Sequence, residues 1–74
     1  MRILIDSTSK IVTLNGGVEA RIWEGHTAAG VPVHCYVTRI AVHNDHDASQ
    51  FQRELQEHRA PSADVVAIPL RMIL

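Results

Sequence analysis

The stretch Val18-Glu19-Ala20-Arg21-Ile22-Trp23-Glu24-Gly25, followed beyond Thr27-Ala28-Ala29-Gly30 by Val31-Pro32-Val33-His34-Cys35-Tyr36-Val37, decides the fold. Apolar and polar residues alternate in both halves, which is the two-residue period of a strand with one covered face. The interruption between them ends in the glycine expected of a hairpin turn. The runs Val18 to Gly25 and Val31 to Val42 are therefore expected to pair antiparallel. Parity sends Val18, Ala20, Ile22, Val33, Cys35 and Val37 toward the core and Glu19, Arg21, Trp23, His34, Tyr36 and Thr38 the other way. Ile40 and Val42 lie on the opposite parity, so either a bulge near Thr38-Arg39 turns them inward or the strand leaves the sheet early.

Upstream, Asn15-Gly16-Gly17 supplies the positive φ of a tight loop. Keeping Val12 and Leu14 on one face with Val18, Ala20 and Ile22 requires a three-residue Asn-Gly-Gly loop, because a one-residue slip would invert the pattern. Before it, Arg2 to Asp6 and Lys10 to Leu14 are short β-branched runs around the polar Ser7-Thr8-Ser9, the pattern of a first hairpin. Downstream, Asp47 with Gln50 resembles a capping box, and Phe51 and Leu55 form an apolar stripe at helical spacing. A helix over about 48–59 is expected, stopped by Ala60-Pro61-Ser62. From Val65 onward Val66, Ile68, Leu70, Met72 and Leu74 share one parity around Pro69, as in a C-terminal edge strand. The fold class is α+β: an antiparallel meander of about four strands, one amphipathic helix and a closing edge strand, in a single domain over 1–74.

The composition sets bounds. Hydrophobic residues are 46% of the chain and aromatics 4%, so the core is aliphatic and the chain folds. A domain of 74 residues buries only about 60% of the surface its unfolded chain exposes and is marginal alone. An apolar edge strand ending in Ile68, Leu70, Met72 and Leu74 is the expected surface of a homo-oligomer. The net charge of −1 gives no basis for general nucleic-acid or acidic-membrane binding. No apolar run is long enough to span a bilayer, and Met1 to Asp6 reads as a strand and not as a signal peptide. With one cysteine, Cys35, no internal disulfide forms, and a cytoplasmic protein is expected.

Four groups of residues invite chemistry. Arg21, Trp23, His34 and Tyr36, taken as one face of adjacent strands, form a platform on which a nucleotide-like ligand stacks, with arginine for a phosphate. The same aromatics serve equally to pack beneath the helix or in a subunit interface. His43-Asn44-Asp45-His46-Asp47 is rich in metal-ligating types, but it crowds them into a loop where Asp45 and Asp47 have simpler work at a helix N-terminus. Cys35 and its neighbour His34 point to opposite faces of a strand and cannot act together. Gln50, Arg53, Glu54, Glu57 and His58 are spaced for mutual pairing on an exposed helix. No nucleophile elbow and no phosphate-cradling glycine loop occurs. Neither a catalytic residue, a metal site nor a cofactor is expected.

The run Arg21-Ile22-Trp23-Glu24-Gly25, then Gly30-Val31-Pro32-Val33, Thr38-Arg39-Ile40-Ala41-Val42, Phe51 to Leu55, Pro61-Ser62 and Pro69-Leu70-Arg71-Met72, is similar to short proteins encoded by bacteriophages of actinobacteria. The resemblance transfers no catalytic residues. It implies a phage-made, non-enzymatic protein in the cytoplasm of an infected bacterium that binds a host macromolecule or sequesters a small nucleotide-like ligand at a subunit interface.

Overall fold

A computed structural model describes residues 1–45 and 47–62. Strand β1 (Ile3–Thr13), β2 (Glu19–Thr27) and β3 (Pro32–Val37) form an antiparallel sheet in the order β1-β2-β3, and one short helix, α1 (Ser49–Leu55), follows. The α+β class and antiparallel pairing agree with the sequence. The expected C-terminal strand and the interface residues Ile68, Leu70, Met72 and Leu74 lie outside the described residues. Among the described residues no helix is long and apolar enough to cross a membrane.

Both inter-strand loops have three residues. Leu14 and Val18 close the first, with the Leu14 N–H donating to the Val18 carbonyl at 2.7 Å. Gly16 and Gly17 take φ of 87° and 79° there, values that a side chain opposes. This is the Asn-Gly-Gly loop that parity predicts. Thr27 and Val31 close the second, where the Thr27 N–H meets the Val31 carbonyl at 2.9 Å and the Val31 N–H meets Thr27 Oγ1 at 3.2 Å.

Three expectations are corrected. The first hairpin does not form: Ser7-Thr8-Ser9 lies inside β1, where the register shifts between Ser7, opposite Trp23, and Ile11, opposite Arg21. Three residues of β1 thus face Ile22 alone, a bulge in place of a turn. Side chains satisfy the backbone groups that the bulge leaves unpaired. Fully buried Thr8 donates its hydroxyl to the Ile22 carbonyl at 2.6 Å, and Arg21 Nη1 donates to the Thr8 carbonyl at 2.8 Å.

The helix is shorter than 48–59. The N-cap is Ala48, without a side-chain cap bond, and Asp47 one residue earlier supports the first turn instead, with Oδ1 accepting from the Ser49 N–H at 2.9 Å and Oδ2 from the Ser49 hydroxyl at 3.0 Å. These two bonds, the backbone one first, hold the Asp47 carboxyl below its ordinary pKa. Gln50 does not close the box; it accepts from Arg53 Nη2 at 2.8 Å. At the other end Arg59 is taken from the helix by β1. Its N–H donates to the Ser7 carbonyl at 3.2 Å and its carbonyl accepts from the Ser9 N–H at 2.8 Å, a parallel bridge across from Thr8. Strand pairing at the bulge outweighs the helical propensity of 56–59.

The third correction is the register between β2 and β3. Ile22 faces Tyr36, Glu24 faces His34 and Trp23 faces Cys35. Residues directly opposite share a face, so Ala20, Ile22, Glu24, His34 and Tyr36 lie on one side, and Arg21, Trp23, Val33, Cys35 and Val37 on the other. Matching apolar to apolar across the hairpin misplaces β3 by one residue, because the Thr27–Val31 closure sets the pairing. β3 ends at Val37, and Ile40 and Val42 are exposed beyond it, so the strand leaves the sheet early. Among the described residues the buried apolar side chains are Ala20 and Ile22, at the centre of the first face.

Candidate functional site

Two sites emerge, one on each face of β2. On the first, the parity that carries Ala20 and Ile22 continues into Glu24, which is 6% exposed. A buried carboxylate requires partners, and the run 59–62 brings them. Arg59 Nη1 donates to Oε1 at 2.5 Å, the Ser62 N–H to Oε1 at 3.2 Å, and the Ser62 hydroxyl to Oε2 at 2.9 Å. Burial pushes the Glu24 carboxyl up, but the bonds from Ser62 and Arg59 outweigh it and hold the group below its ordinary pKa. His34, in the neighbouring strand, brings Nε2 to 3.8 Å from Oε2, with its side chain 9% exposed and Nδ1 buried without a hydrogen-bond partner among the described residues.

Chemically this cluster is an anchor. The carboxylate stands between Ser62 and His34, whereas hydroxyl activation needs the imidazole between hydroxyl and carboxylate. Glu24, Arg59, Ser62 and Thr8 were not among the residues that spacing singles out. The available signal is the charge itself: Glu24 sits on the parity of Ala20 and Ile22, and a carboxylate in a core register implies a buried partner.

The second site lies on the opposite face. Arg21 and Trp23 project there, and Phe51 and Leu55 of α1 join Ile11, Val37 and Arg39 around an open groove of ≈ 330 Å³. Trp23 and Ser7 also line a second groove of ≈ 540 Å³, with Ile5, Asp6, Glu54, Glu57, His58 and Arg59. Trp23 thus stands between a basic and an acidic groove. Of the apolar stripe of α1, Phe51 is half-buried and Leu55 is 46% exposed at the first groove.

The four residues expected to make one ligand platform are split. Arg21 and Trp23 occupy the groove face, and His34 and Tyr36 the anchor face, because of the register just described. Cys35 pairs with Trp23 and is half-buried, while His34 points to the other side. Among the described residues no group of three or more His, Cys, Asp and Glu side chains is placed to hold a metal ion.

The two edges of the sheet also differ. Arg59 occupies β1 at the bulge, whereas β3 has no partner on its outer side among the described residues. The Thr27–Val31 pair is hydrogen-bonded, so alternation points the backbone groups of Val33, Cys35 and Val37 toward β2. Those of His34 and Tyr36 point outward. Pro32, with no N–H, falls at an outward position, where its missing donor disturbs no pairing. No family model matches this chain, and comparison with curated proteins and with solved structures finds no match.

Proposed function

We propose that this chain is a non-enzymatic, homo-oligomeric binding protein that engages a host macromolecule in the bacterial cytoplasm, taking an extended segment of the partner as an added strand on β3. The outward N–H and C=O groups of His34 and Tyr36 carry this reading. Strand addition needs only such an edge and supplies affinity through main-chain hydrogen bonds, without a deep pocket. The resemblance to phage proteins supports a host partner. Tyr36→Pro removes one outward donor and keeps the bonds to β2, and Tyr36→Ala removes the ring but keeps the donor. In affinity capture from host lysate with mass-spectrometric identification, a partner held by wild type and Tyr36→Ala and lost by Tyr36→Pro is expected. Equal capture by both variants, or no partner at all, refutes strand addition.

A second reading, a small nucleotide-like ligand, is favoured by the shared groove of Arg21 and Trp23, whose ≈ 330 Å³ lies at the lower end of small-molecule sites. The ring would stack a base and the guanidinium would meet a phosphate. Its test is native mass spectrometry: a bound mass present in wild type and absent in Trp23→Phe supports it, and an unliganded wild type removes it.

A further inference from the structure

We propose that the helix side of the sheet, centred on Trp23, is the surface through which two copies of this chain pair about a two-fold axis. The inference rests on the homo-oligomeric part of the reading above and assigns it a surface. Apolar side chains crowd this face without cover among the described residues: Ile11 is 48% exposed and Leu55 46%, beside half-buried Trp23 and Phe51. The charges around them are segregated. Arg21 and Arg39 line the groove on one side of Trp23, with Glu19 as the single acidic member there. Glu54 and Glu57 line the groove on the other side, where Arg59 is already committed to Glu24, while Asp6, opposite Glu24 in the register, belongs to the anchor face. Arg39, Glu54 and Glu57 have no ion-pair partner among the described residues.

A face with a basic end, an apolar middle and an acidic end is complementary to itself when rotated by half a turn. The Arg39 end of one copy then meets the Glu54 end of the other, twice, which is the isologous contact of a two-fold dimer. The apolar middle is covered in the same step, and the two grooves close over Trp23. A stable contact of this kind covers about 800 Å² per partner, roughly an eighth of the chain's 6143 Å² surface. At a net charge of −1 no general repulsion opposes it.

Charge reversal tests the geometry without touching the core, because both side chains are exposed. Arg39→Glu and Glu54→Arg each place like charges at both ends of a homodimer. Mixed in equal amounts, the two variants restore both opposite-charge contacts in a heterodimer. Sedimentation equilibrium should show a wild-type dimer, self-association weakened about tenfold or more in each variant, and recovery in the mixture. A wild-type monomer overturns this inference and the homo-oligomeric reading together. A dimer indifferent to both reversals overturns the surface and leaves homo-oligomerisation standing. Weakening in both variants without recovery on mixing overturns the two-fold arrangement.

Discussion

Replacing Glu24 by Gln tests whether the anchor holds the 59–62 run to the sheet. The carboxylate accepts three hydrogen bonds, from Arg59 Nη1 and from the N–H and hydroxyl of Ser62. Bonds to a charged acceptor contribute about 1.5–3 kcal/mol and neutral ones about 1 kcal/mol, so neutralising the acceptor removes roughly 1 kcal/mol from each. Arg59 is half-exposed and its share is discounted for solvent, and relief of the carboxylate's desolvation returns part of the loss. The net cost is about 1.5 kcal/mol, against a total stability of roughly 4–11 kcal/mol for a chain of this length. With a urea m-value of about 1 kcal/mol/M, the unfolding midpoint falls by about 1.5 M, read from the fluorescence of the single tryptophan, Trp23. The pH dependence gives an independent check. Glu24 is held below its ordinary value of 4.5, so its contribution is fully present above that pH and is lost as pH falls through the folded-state value. The Gln variant lacks this acid limb, and the two proteins converge in acid. A midpoint change below about 0.3 M at neutral pH, or parallel acid limbs, refutes the anchor; the first bound is a fifth of the shift that the hydrogen bonds imply.

Thr8→Val strips the buried hydroxyl from the Ile22 carbonyl and leaves that acceptor unsatisfied, at a cost of about 1–3 kcal/mol, and chemical denaturation should show it. Gly25→Ala places a methyl group 1.9 Å from the Leu4 carbonyl oxygen and 2.8 Å from the Ile5 Cα, both backbone atoms. The β1–β2 pairing has to shift, with a loss at or above the roughly 1–3 kcal/mol of an overpacked core and faster amide exchange along the N-terminal half of β1. Asp47→Ala removes both Ser49 bonds; α1 frays, detectable as lost exchange protection at the Gln52 amide, which donates to the Ala48 carbonyl at 2.9 Å.

The hairpin at the centre of the fold is legible because its signal is local. Gly16 and Gly17 sit where positive φ is needed, and the alternation on either side leaves a three-residue loop as the one choice that keeps Val12 with Ala20. The helix start is legible for the same reason: Asp47 acts on Ser49, two residues away. What escapes the sequence is set by residues far apart. Ser7-Thr8-Ser9 has the composition of a turn, and it becomes a bulge only because Arg59, about fifty positions later, pairs with its outer edge. The helix stops short for the same reason. The ligand platform fails on a subtler point. Parity orders side chains within one strand but does not fix the phase between two strands, which the loop closure sets, so Trp23 and Tyr36 end on opposite sides.

Glu24 links these outcomes. A strand covered on one face alone would put its charged residues on the open face. In β2 each face carries a charge with internal partners: Glu24 beneath Arg59 and Ser62 on one, and Arg21 with its guanidinium on the Thr8 carbonyl on the other. Each charge therefore satisfies backbone or side-chain groups that the bulge and the 59–62 run leave without strand partners. The residues free of such work are the ones at the rim, Arg39 and Glu54 around Trp23 and the backbone edge of His34 and Tyr36. The polar residues of β2 thus build the fold, and substitution at the rim and the edge, where the proposed contacts lie, leaves the core intact.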